Sequence, residues 1–173
     1  MSTLRDRLRP ALVVLAATAA SFALGRVVAA TWVQGLIDTL ATAGLDLSAA
    51  DPAGLSAGIW TAAAMVALSG PGAALSVGLT ARMRAEAPTV GAYLRAVAVL
   101  IVGANLGISV KAVSIARILV PRAVEGAAGG GALAIDAGEL GLWPWALAGV
   151  FCALVLHLAI TGVSAVLADE RAR

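Results

Sequence analysis

The sequence predicts an all-α, polytopic membrane protein with four transmembrane helices in a single domain. Three observations predict it. The chain is 61% hydrophobic and only 13% charged, whereas soluble domains run near 45–50% apolar and about 25% charged. The apolar residues form long runs without period-two alternation, and the basic residues sort by their place between those runs.

The spans fall at residues 10–33, 55–81, 94–120 and 143–167. Each exceeds the roughly 20 residues needed to cross about 30 Å of hydrocarbon. Runs of that length satisfy their backbone as helices rather than as barrel strands. Pro10 is acceptable in the first turn of the first span. Arg5, Arg7 and Arg9, followed by an apolar run and Val28-Ala29-Ala30, imitate a secretory signal. The run outlasts the roughly 7–15 apolar residues of such a signal, so an uncleaved first span is expected.

Orientation follows from charge. The stretch after the first span carries Asp38, Asp46 and Asp51 and no basic residue, whereas Arg82, Arg84 and Arg95 flank the turn between the second and third spans. Arg122, Glu125, Asp136 and Glu139 follow the third span, and Arg171 and Arg173 end the chain. Positive residues favour the cytoplasmic side, which predicts a cell-membrane protein with both termini in the cytoplasm. Trp32, Trp60, Trp143 and Trp145 then all stand at the outer ends of their spans, where amphipathic rings anchor.

The net charge of +2 does not indicate nucleic acid, because the basic residues form no stripe with interleaved aromatics. Cys152, alone in an apolar run, offers neither an intrachain disulfide nor a thiolate metal site. No P-loop or dinucleotide-binding glycine pattern occurs, and no cofactor, metal or enzymatic activity is expected.

Two connections have character of their own. Val33, Leu36, Ile37, Leu40 and Leu45 recur at helical spacing among Gln34, Asp38 and Thr39, as in a short interfacial amphipathic helix or an extension of the first span. Residues 125–141, rich in glycine, read as a mobile outer loop.

The functional expectation rests on two glycine-rich interruptions. Ser69-Gly70-Pro71-Gly72 falls in the middle of the second span, where proline removes a backbone donor. Gly103-Ala104-Asn105-Leu106-Gly107-Ile108-Ser109 falls inside the third, where an amide side chain needs a partner. Irregular backbone at membrane depth survives where protein or a water-filled cavity supplies hydrogen bonds, and transporters use such breaks to hold solutes. The alternative is packing, since small residues let helices approach; Ala17, Ser21 and Gly25, or Gly72, Ser76 and Thr80, suit that purpose. Arg26 and Arg117 can snorkel to the interface. Lys111 is either a snorkelling residue or a cavity charge, and His157, near mid-depth, is either a packed residue or a proton or solute group. The candidate cleft therefore comprises Ser69, Gly70, Gly72, Gly103, Asn105, Ser109, Lys111 and His157, with Ser69, Asn105, Ser109, Lys111 and His157 facing one shared interior region.

From about residue 65 to 167 the chain resembles the nucleoside-recognition (Gate-type) membrane proteins. Met65-Val66-Ala67-Leu68-Ser69-Gly70-Pro71-Gly72-Ala73-Ala74 is similar to that family's small-residue helix. Leu100-Ile101-Val102-Gly103-Ala104-Asn105 is similar to its apolar run ending in glycine and asparagine, here separated by Ala104. Arg117-Ile118-Leu119-Val120-Pro121 resembles its basic residue shortly before a proline. The resemblance implies a permease-like module, one half of a transporter for a small polar solute or ion, working in the bilayer as a homodimer or with a second membrane subunit. The alternative function is a non-transporting scaffold or assembly protein with no ligand site. A third reading pairs Ser69 with His157, which resembles the serine and histidine of rhomboid proteases; it requires the two within about 2.6–3.2 Å.

Overall fold

The computed structural model describes residues 4–42, 52–84, 87–128 and 141–172. Among the described residues there is no strand. The helices are α1 (Leu4–Thr42), α2 (Pro52–Ala67), α3 (Ser69–Arg84), α4 (Val90–Ala128) and α5 (Leu142–Ala172). Four segments are long and apolar enough to cross a membrane: Ala11–Thr42, Ala53–Arg84, Val90–Arg122 and Leu142–Ser164. The all-α polytopic architecture thus holds, with α2 and α3 together forming the second span.

Local chemistry sets the helix ends. Pro52 starts α2 and Pro144 sits in the first turn of α5, positions that need no amide donor. Thr89 caps α4: its Oγ1 accepts the Ala92 N–H at 3.1 Å. Gly141, at φ 39°, takes the left-handed turn that admits Leu142 to α5.

The bundle is apolar outside as well as inside. Leu15, Met83, Phe151 and Ile160 lie outside, while Ser21, Ser69 and Ser76 are fully buried. An apolar exterior of this extent suits hydrocarbon rather than water. One interior cluster joins Ala29 and Val33 of α1, Val66 of α2, and Leu100 and Ile108 of α4. The other joins Ala73 and Val77 of α3 to Tyr93, Ala96 and Val97 of α4.

Lipid tails supply no hydrophobic drive between helices, so close approach by small residues matters instead. The most extensive contact is α4 against α5. There a Cβ on Gly103 would come within 2.6 Å of the Gly149 carbonyl oxygen, and one on Gly107 would collide with the Trp145 carbonyl oxygen. On α1, Gly25 admits Val66 of α2, whose Cβ would stand 2.6 Å from any Cβ added to Gly25.

Several expectations are corrected. The second span does break, but at Leu68 rather than over Gly70–Gly72. Pro71 acts on the carbonyl four residues earlier, which it cannot bond and which its ring crowds. That carbonyl belongs to Ala67, the last residue of α2. The chain tightens there, with Leu68 N–H donating to Met65 O at 3.1 Å, and restarts when Gly72 N–H donates to Leu68 O at 2.9 Å. The third span is not interrupted: α4 is continuous through Gly103 and Gly107. Glycine costs a helix about 1 kcal/mol, a penalty that close packing on α5 offsets. Residues 33–42 take the second of their two expected forms, an extension of α1, whereas Pro10 lies within α1 rather than in its first turn, because the helix begins at Leu4. Residues 125–128 belong to α4 rather than to a loop. Residues 129–140 of the expected outer loop, with Asp136 and Glu139, lie outside the described residues, as do Leu45, Asp46 and Asp51.

Candidate functional site: a basic cavity at one end of the bundle

Three helices converge where α3 ends and α4 begins, around a cavity of about 310 Å³ whose polar lining comprises Thr80, Arg84, Thr89, Arg95, His157 and Thr161. Arg84, at the last turn of α3, reaches across to α5. Its Nη2 donates to Thr161 O at 3.0 Å and to Ser164 Oγ at 2.8 Å. Thr161 turns its hydroxyl onto the His157 carbonyl at 2.7 Å, and Thr80 turns its own onto the Ser76 carbonyl at 3.0 Å. No described lining residue is acidic. Among the described residues, neither the Arg95 guanidinium nor the His157 ring has a recorded hydrogen-bond or ion-pair partner. The cavity therefore presents, among the described residues, cationic N–H donors without a neutralising carboxylate.

A polar line leads away from this cavity. Ser69, Ala73, Ser76, Thr80 and Arg84 recur at helical spacing and share one face of α3. Ser69 and Ser76 are completely buried, and the Oγ of each lacks a hydrogen-bond partner. The line begins at the Leu68 break and ends in the cavity.

The predicted site residues do not gather into one cleft. Gly70 packs against Thr18 of α1, and its carbonyl accepts the Tyr93 hydroxyl at 2.9 Å. A Cβ on Gly72 would meet Leu100 Cδ2 at 2.8 Å. Gly103 belongs to the α4–α5 seam. Asn105 Nδ2 donates to Ile101 O of its own helix at 2.8 Å, leaving Oδ1 buried and without a partner. Ser109 Oγ accepts the Trp32 Nε1–H at 3.1 Å, so Ser109 faces α1, with Asn105 one turn earlier on the same side of α4. Lys111 is half-buried on α4 and is not among the residues that line the basic cavity. His157 lines the basic cavity, which places it with Arg84 and Arg95 rather than with Asn105. Ser69 and His157 form no hydrogen-bonded pair, because the Ser69 hydroxyl has no partner. Among the described residues no cluster of three or more His, Cys, Asp or Glu side chains could hold a metal.

Sequence reasoning missed Ser76, Thr80, Arg84, Arg95 and Thr161 as site residues. Arg84 and Arg95 served only to mark a membrane side. The available signal was spacing: Thr80 with Arg84, and His157 with Thr161, are four residues apart and share a helix face.

A second concavity, about 460 Å³, runs along the outside of the α4–α5 seam. Val99, Val102, Leu106 and Val110 form its α4 wall, and Trp145 and Leu156 stand on the α5 side. It is a shallow apolar groove.

No protein-family model, curated protein or solved structure matches this chain.

Proposed function

We propose that the chain is a permease-like membrane module, one half of a transporter for a small polar solute or ion, with the Arg84–His157 cavity as its vestibule. The observation that carries this reading is the face of α3, where two unpartnered buried hydroxyls, on Ser69 and Ser76, align with Thr80 and Arg84 of the cavity. A buried polar group without a partner costs about 1–3 kcal/mol. Keeping two of them in line between a helix break and a basic cavity sacrifices stability for a polar path. The break contributes as well: Pro71 leaves the Ala67 carbonyl without its usual amide donor, and broken helices of transporters present such groups to solutes. The resemblance to nucleoside-recognition proteins points the same way. Charge asymmetry favours the cytoplasm for the Arg84 end, which supports a vestibule that opens inward. Four spans enclose little volume, so a second copy or another membrane subunit completes the path.

A scaffold with no ligand site is the second reading. The seam of Gly103, Gly107 and Gly149 favours it, because those glycines serve packing.

A thermal-shift screen of the purified protein against uridine, inorganic phosphate and magnesium separates the two. A ligand at a hundredfold its Kd stabilises by about 2.7 kcal/mol. At least one probe should raise the melting temperature in wild type and in Gly78→Ala, and fail to do so in His157→Ala. No response to any probe leaves the scaffold reading in place.

A further inference from the structure

We infer that the basic cavity and the apolar groove are two halves of one site for an anionic phospholipid, its phosphate held between Arg84 and Arg95 and one acyl chain lying along the α4–α5 seam. This deepens the vestibule reading, on which it rests, by naming the solute as the head of an amphiphile.

The register of the helices joins the two halves. On α4, Arg95 of the cavity lies one turn before Val99 of the groove, and Val102, Leu106 and Val110 continue the same face. On α5, His157 of the cavity lies one turn after Ala153 of the groove. The basic end of one concavity therefore abuts the apolar end of the other. From Val99 to Val110 the groove wall rises about 16 Å at ~1.5 Å per residue. That is comparable to the ~15 Å depth of one leaflet's hydrocarbon.

Charge complementarity selects the head. Guanidinium groups present paired N–H donors that match phosphate oxygens. Arg84 commits only Nη2 to α5, and Arg95 has no recorded partner among the described residues. The cavity volume of about 310 Å³ falls at the lower end of the range for ligand pockets, roughly 300–1,000 Å³. The groove argues for a lipid over free phosphate. It faces the hydrocarbon, and a chain lodged there raises the local concentration of its tethered head.

Trp145 lines the groove and can report on it. The probe is dibrominated phosphatidylglycerol against equally brominated phosphatidylcholine, added to detergent-solubilised protein carrying Trp32→Phe, Trp60→Phe and Trp143→Phe. Phosphatidylglycerol should quench Trp145 at about tenfold lower lipid concentration. Arg84→Gln with Arg95→Gln should abolish that preference, and Ala148→Phe, which fills the groove without touching charge, should weaken quenching by both lipids. Should the double arginine variant fail to fold, Ala148→Phe together with the comparison of the two lipids decides. Equal quenching by both lipids, or no effect of Ala148→Phe, overturns the lipid site. Inorganic phosphate stabilising the protein with no lipid preference overturns it too, while leaving the vestibule reading intact. Lipid preference without a thermal response to any soluble probe supports the lipid site and removes the soluble solute.

Discussion

At Gly107 the main chain of α5 lies so near that a Cβ would collide with the Trp145 carbonyl oxygen, and a backbone atom cannot swing aside as a side-chain tip can. Gly107→Val should therefore destabilise the protein by about 1–3 kcal/mol, the usual range for overpacking. Gly78 has nothing within 4 Å of an added Cβ, so Gly78→Ala should be neutral or stabilise by up to about 1 kcal/mol through helix propensity. Thermal unfolding of the two variants in the same detergent checks the contrast. Residue type alone made some of this legible. Arg26 has the place of an end-of-span cation, and it stacks 4.4 Å from the Trp60 ring centre, which tilts in turn against Phe22 at 5.7 Å. Asn105, an amide in need of partners, finds one for its Nδ2 and none for its buried Oδ1. That the partner is the Ile101 carbonyl of its own helix, rather than a group across a cleft, is a matter of rotamer and neighbour that sequence does not encode locally.

The two glycine-rich segments look alike as strings and behave differently as elements. Proline separates them. In the second span Pro71 withholds a donor and crowds the Ala67 carbonyl, so the helix divides at Leu68. In the third span no proline accompanies Gly103 and Gly107, so the donors around them remain and α4 stays whole; Pro121, farther along, is carried within the helix. A glycine in a spanning helix is equally suited to a break and to a seam, and only the approach of α5 decides between them. That approach involves Gly149, which the pattern of the third span could not reveal. Pro71→Ala restores the missing amide, so α2 and α3 should join into one continuous helix. Spin labels at the exposed positions Thr61 and Leu79 should then move apart relative to the parent protein. An unchanged separation would show that packing, not the proline, holds the break.

For the molecule as a whole, hydropathy and length made the four spans legible, because the bilayer imposes both requirements on sequence directly. The polar cavity was not legible, because Arg84, Arg95 and His157 come from three helices and meet only after the bundle packs. The shared interior cleft expected from depth alone is replaced by a division of labour. Asn105 and Ser109 face α1, whereas Ser69, Ser76 and Thr80 mark a line on α3 towards the basic end. The proposed path follows this line and is open to polar solutes from the Arg84 side. Cysteine accessibility tests it most directly, with Cys152→Ala as background and Thr80→Cys, Ser76→Cys and Ser69→Cys as reporters in vesicles of known sidedness. A small charged thiol reagent applied at the Arg84 side should modify Thr80→Cys fastest, Ser76→Cys more slowly and Ser69→Cys slowest, with no reaction from the opposite side. Modification of Thr80→Cys alone, with Ser76→Cys and Ser69→Cys inert from both sides, would contradict the path and leave a dry, packed bundle.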